Sequence, residues 1–185
     1  VSSGIVMIMF NYIILHLADN AGVAAYGIIA NLSIVVIATF TGIAQGTQPI
    51  ISMNYGIKEY SNINSILKYA IITMVILSAA IYTSVFIYAS QITLIFNSEQ
   101  NPTLQQIASE GLRIYFIACP FAGFNIVLSM YFTSTERSRP AHIISLLRGF
   151  IIIPIAFLLS YIGRMSGVWL AFPASEMMVS IIGLL

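Results

Sequence analysis

The stretch GIAQGTQPIISMNYG, Gly42 to Gly56, sets two glutamines, three glycines and a proline at the end of a long apolar run. It closes on Asn54-Tyr55-Gly56 and then the charged pair Lys58-Glu59. Polar groups in such a run are costly in lipid, where every backbone and side-chain dipole needs an internal partner. The insertion therefore reads as a helix that lines a solute pathway.

The rest of the chain fits a lipid solvent. Of its 185 residues, 59% are hydrophobic and 7% charged, with a mean hydropathy of +0.96. A soluble domain carries about a quarter charged residues, so this chain lacks the polar surface that keeps a protein in water. The formal net charge of +1 gives no basis for nucleic-acid binding. Cys119 is the single cysteine, which rules out an internal disulfide and leaves no cysteine metal site. His16 and His142 fall near opposite membrane faces and make no joint metal site. No Gly-rich phosphate loop, paired catalytic carboxylates or nucleophile-base arrangement is present, so no catalytic residue, metal or cofactor is expected.

A spanning helix needs about 20 mostly apolar residues. Six candidates fit: Val1 to Leu17, Val23 to Met53, Tyr69 to Ala89, Ile114 to Thr133, His142 to Ile162, and Gly167 to Leu185. The second is too long for a straight crossing and must tilt, kink or project. Asn97 to Glu110 reads as a polar loop entering the fourth helix. No linker divides the chain, so residues 1–185 form one all-α integral membrane unit. Val1 opens directly into apolar sequence and Ser180 to Leu185 are still apolar, so both ends are expected to lie within helices of a longer protein. Lys58, Lys68, Arg137, Arg139 and Arg148 fall on one side and Arg113 and Arg164 on the other. The positive-inside rule makes the first side cytoplasmic, with both ends of the chain there too.

At about 100° per residue, Asn31, Thr41, Gln45, Gln48 and Ser52 share an arc of about 100°. Such a stripe reads as a water-accessible or substrate-lining face, or as a set of interhelical hydrogen bonds. Ala38, Gly42 and Gly46 make a small-residue ridge beside it, which reads as a close-packing surface. Pro49 lacks an N–H and should kink the helix. Asn11 and Asn125 lie mid-span, each facing a cavity or bonding another helix. Glu176 is the one acid deep in a span, about 15 Å from the outer boundary at 1.5 Å per residue. Arg148 lies within the fifth span, and the two suggest either a structural ion pair or a proton-coupling carboxylate.

GIAQGTQPIISMNYGIKEY resembles the motif after the eighth helix of multidrug and toxic compound extrusion (MATE) transporters, particularly the MepA-like bacterial branch. SLLRGFIIIPIAFLL (Ser145 to Leu159) and GVWLAFPASE (Gly167 to Glu176) resemble that family's eleventh and twelfth helices. The resemblance implies a six-helix lobe, helices seven to twelve of a twelve-helix transporter, with a cavity between two lobes related by an axis along the membrane normal. It implies an antiporter in a bacterial cytoplasmic membrane that expels cationic, aromatic compounds in exchange for H⁺ or Na⁺. The implied partners are drugs or organic cations, lipids and the missing N-terminal lobe. The polar stripe would border the cavity, with Gly42, Gly46, Pro49, Asn54, Tyr55 and Gly56 as its kink and motif. Some branches place cation-binding carboxylates in the seventh and tenth helices. No acid stands mid-span there in this chain, which favours H⁺ coupling. Two other functions fit the composition: a lipid-linked saccharide flippase of the same superfamily, or a non-transporting membrane scaffold.

Overall fold

The computed structural model describes residues 2–184, and it is all-helical. The elements are α1 (Ser2–Gly56), α2 (Tyr60–Phe96), α3 (Pro102–Tyr115), α4 (Cys119–Ser134), α5 (Ser138–Phe150) and α6 (Ile152–Leu184), with a 3₁₀ turn at Phe116–Ala118 between α3 and α4. Among the described residues, four helical runs are long and apolar enough to cross a membrane: Gly4–Gly56, Tyr60–Phe96, Pro102–Ser134 and Ser138–Leu184.

Two of these runs are not straight. A 53-residue rod would be about 80 Å long, far beyond a hydrocarbon core of about 30 Å. The chain reverses instead. Ala18 (φ −146°) and Asp19 (φ 50°, ψ −153°) leave the helical region inside α1. Across that break the Phe10 and Tyr26 rings stack at 5.5 Å, and a Cβ on Gly22 would lie 2.8 Å from Ile14 Cγ2. Residues eight apart in a continuous helix are about 12 Å apart along the axis. Arg164 (φ 49°, ψ −129°) breaks α6 in the same way. A Cβ on Gly167 would fall on the carbonyl oxygen of Leu159 and come within 2.6 Å of its carbon. Asp19 and Arg164 occupy backbone space that is nearly glycine's alone, at a cost of about 1–3 kcal/mol each, so packing on both sides must hold the turns.

Gly167 is where that packing has no slack, because its neighbour is backbone. Gly167→Ala should lower stability by about 1–3 kcal/mol through forced displacement of the turn. Gly163→Ala is the control, since a Cβ there meets nothing within 4 Å. Equal thermal midpoints for the two purified variants would contradict the tight reversal.

The segment between α2 and α4 corrects the sequence reading. Asn97 to Glu110 is not a loop for most of its length, because α3 begins at Pro102. The start signal is local. Asn101 accepts from the backbone N–H groups of Thr103 (2.9 Å) and Leu104 (3.2 Å), and Pro102 takes the position where a missing N–H costs nothing. Hydropathy alone hid this helix because its outer face is polar. Its inner face supplies Ala108 and Leu112 to the core.

The core runs through all the long helices. Phe10, Ile14, Ile29, Phe40, Ile51, Met74, Leu112, Phe116, Val127, Val168, Trp169 and Val179 are fully buried. Gly111 lets α3 approach Trp169 and Ile29, since a Cβ would lie 2.9 Å from the indole and 2.5 Å from Ile29 Cδ1. Large exposed apolar side chains, among them Ile8, Ile95 and Tyr161, cover the outside, as a lipid-facing surface requires.

The ridge expected to pack closely does not do so within this chain. Ala38, Gly42 and Gly46 are exposed, and a Cβ on either glycine would meet nothing within 4 Å. Spacing marked the ridge, but spacing carries no direction. The helix also runs on through Pro49 to Gly56, with its only non-helical dihedrals back at Ala18 and Asp19. Pro49 leaves the Gln45 carbonyl without its usual helical donor.

Candidate functional site

The polar stripe divides into parts with different roles. Thr41, Gln45 and Gln48 line an open groove of about 350 Å³ together with Ser129 and Thr133 of α4 and Arg148 of α5. Gln45 is exposed and Gln48 half-buried. Among the described residues, neither amide makes a hydrogen bond. Asn31 and Ser52 are exposed and lie outside this groove. Asn31 Nδ2 donates to the Gly27 carbonyl at 2.9 Å, within its own helix. Asn11 is half-buried on the first arm of α1.

The α4 contribution was missed in the sequence, though a signal exists. Ile126, Ser129, Met130 and Thr133 follow a three-four spacing that puts them on one helix face, and all four border the groove. Hydroxyls are so common in membrane helices that two of them do not stand out.

Behind the groove lies a buried polar cluster. Arg148 Nε donates to both Glu176 oxygens, at 3.0 and 3.1 Å, and Nη2 donates to Oε1 at 2.9 Å. Asn125 Nδ2 donates to Glu176 Oε2 at 2.7 Å and to the Glu176 carbonyl at 2.9 Å. Ser180 Oγ lies 3.0 Å from Asn125 Oδ1 and 2.9 Å from the Glu176 carbonyl, which share its one proton. Glu176 is 4% exposed, and the Arg148 side chain 23%. One carboxylate thus joins α4, α5 and α6, with both oxygens occupied. Of the two places the sequence left open for it, Asn125 takes the interhelical bond rather than the cavity wall. It is fully buried and fixes the carboxylate, because a charge this deep needs more than one donor.

The Asn54-Tyr55-Gly56 end closes the turn into α2. Asn54 is buried, donates from Nδ2 to the Ile50 carbonyl at 2.8 Å and accepts from Asn62 Nδ2 at 3.1 Å. Its own carbonyl accepts from the Glu59 N–H at 2.9 Å. Lys58 takes the left-handed conformation, φ 63°, that the turn requires. Tyr55 meets Tyr60 edge-on at 6.4 Å. This motif ties a hairpin and sits at the mouth of the run that carries Gln48.

This helical fold has counterparts among known proteins. The model of the family described as MatE matches residues 3–158. The chain belongs to the MatE family of transporters. The resemblance drawn from the sequence is therefore borne out, and MatE proteins are transporters rather than enzymes. A Multidrug export protein MepA of Staphylococcus saprophyticus is 24% identical over 149 residues, which cover 80% of this chain and 32% of the relative. The MepA of a bovine Staphylococcus aureus strain is 20% identical over 182 residues, 98% of this chain and 40% of the relative. The MatE chain also superimposes on the inward-facing conformation of a multidrug resistance MATE family transporter with a TM-score of 0.91 at 19% identity, covering 98% of this chain and 42% of that one. Against an outward-facing conformation the TM-score is 0.89 at 18% identity, covering 98% and 41%. The chain spans about a third to two fifths of the length of the curated relatives it matches.

Proposed function

We propose that this chain is the C-terminal lobe, helices seven to twelve, of a bacterial multidrug exporter, and that the groove of Thr41, Gln45, Gln48, Ser129, Thr133 and Arg148 is its share of the solute pathway. In this reading the reversals at Asp19 and Arg164 are turns at the outer face, so the four runs make six crossings. Both ends and the turns at residues 56–60 and 134–138 then face the cytoplasm. An N-terminal lobe covers the groove, and the exporter works by alternating access between the two lobes, in exchange for H⁺ or Na⁺.

The observation that carries this reading is the groove. In a chain where 7% of residues are charged, six polar side chains from three helices gather on one open depression. The two glutamines among them have no hydrogen-bond partner among the described residues. Residues spent on helix packing would be bonded, as Asn54 and Asn125 are. The similarity to multidrug export proteins points the same way.

The test is extrusion of organic dyes from efflux-deficient bacteria that express the full-length transporter containing this chain. Export above the empty-vector rate is expected. It should persist when sodium is replaced at fixed pH, because no acid stands mid-span in the first arm of α1 or in the α3–α4 run, and Glu176 is occupied by Arg148 and Asn125. Collapse of export without sodium would overturn the H⁺ assignment, and no export of any dye would overturn the function.

A further inference from the structure

The groove wall carries one charge, and that charge belongs to a half-used guanidinium. Arg148 commits Nε and Nη2 to Glu176. Its Nη1 makes no hydrogen bond among the described residues, and it is not a buried orphan, since Ser78 Oγ is the one such atom among them. The compensating carboxylate lies behind the guanidinium, almost fully buried, with Oε1 and Oε2 already taken by Arg148 and Asn125. The pair is neutral as a whole, and Arg148 is its one member on the groove wall.

The remaining wall adds no formal charge to that of Arg148. No Asp or Glu borders the groove. Thr41 and Thr133 give their hydroxyl protons to the Ile37 and Ser129 carbonyls at 2.8 and 2.9 Å. The donors left open are Arg148 Nη1, the side-chain amides of Gln45 and Gln48 and the Ser129 hydroxyl, and of these only Arg148 is charged. A cation placed here finds no anionic partner. An anionic oxygen finds a charge-assisted donor, and such bonds are roughly twice as strong as neutral ones. The apolar surroundings strengthen the interaction further.

We propose that this groove binds the carboxylate of an amphiphilic solute, with Arg148 Nη1 as the charged donor and Gln45 and Gln48 as the neutral ones. The proposal rests on the export reading and narrows its substrate class. Preferred solutes carry a carboxylate, and any cationic portion of the same molecule is met outside this groove.

Rhodamine B, a zwitterion with a free carboxylate, and its ethyl ester, a cation without one, make a matched pair of probes. Binding of each to the purified full-length transporter is read by fluorescence anisotropy. The free carboxylate should bind about tenfold tighter than the ester, the scale of one charge-assisted hydrogen bond. In the neutral double variant Arg148→Gln with Glu176→Gln, the ratio of the two affinities should fall to about one. The ratio is independent of how much variant protein folds. Equal affinities in the unaltered protein overturn the proposal, and so does a preference that survives in the double variant. A carboxylate preference without extrusion overturns the export reading and supports the site. Binding of neither dye overturns the proposal, and the export reading then stands or falls on extrusion alone. Nanodiscs separate a solute carboxylate from a lipid phosphate. The same preference in zwitterionic and anionic lipid supports the solute, and its loss in anionic lipid alone assigns the groove to a headgroup and overturns the solute assignment.

Discussion

Glu176→Leu should destabilise the protein by about 3–5 kcal/mol, because removing one partner of a buried ion pair strands the other. The stranded group is Arg148, which loses all of the hydrogen bonds that Nε and Nη2 make. Asn125 Nδ2 also loses its shortest acceptor, at 2.7 Å. The apolar double variant Arg148→Met with Glu176→Leu should recover most of that loss, since a well-packed apolar pair often matches a buried ionic one. Thermal midpoints of the wild type, both single variants and the double variant give the coupling directly. A double variant no more stable than Glu176→Leu alone would mean that the two side chains act independently, against the geometry seen here.

The second large effect is on transport rather than stability. Gln45→Leu with Gln48→Leu should cut dye export about tenfold, the scale of one hydrogen bond denied to each solute. Stability should change little, about 0.5 kcal/mol or less, because neither amide is bonded inside the chain. The contrast with Glu176 is the useful part. One pair of residues is fully satisfied within the lobe and should matter for folding. The other is unsatisfied and should matter for the solute. Full export with normal expression of the leucine variant would remove the two glutamines from the solute pathway.

Much of this division was legible in the sequence, and the limits are physical. Periodicity places Thr41, Gln45 and Gln48 on one stripe because a helix fixes angles between its own residues. The same rule puts Asn31 and Ser52 on that stripe, yet they fall outside the groove, since the groove is shorter than the helix. Which helix faces the stripe is a tertiary matter, so periodicity could not single out Ser129 and Thr133. Small-residue spacing likewise named Gly42 and Gly46, while the close approaches are at Gly22, Gly111, Gly167 and Gly183. Arg148 and Glu176 were legible as a possible pair because two charges deep in an apolar chain have few other partners. Asn125 as the third member was not, because an amide at mid-span fits a cavity wall and a buried bond equally well. The α3 helix was hidden by its polar outer face, although Asn101-Pro102 is a start signal that sequence alone displays.

If Gln45 and Gln48 face a water-filled solute pathway, side chains at these positions are reachable from water. Cys119 is buried and is the single cysteine of this chain, so it can be replaced by alanine and cysteines introduced one at a time at positions 45, 48 and 35 in an otherwise cysteine-free full-length transporter. Labelling by a charged, water-soluble thiol reagent is the measurement. Rapid labelling is expected at 45 and 48, slowed by a transported dye, with little labelling at 35, where Val35 is exposed beside Leu32, Val36 and Ile81. Labelling at 45 and 48 that is no faster than at 35, or that the dye leaves unchanged, would contradict the pathway.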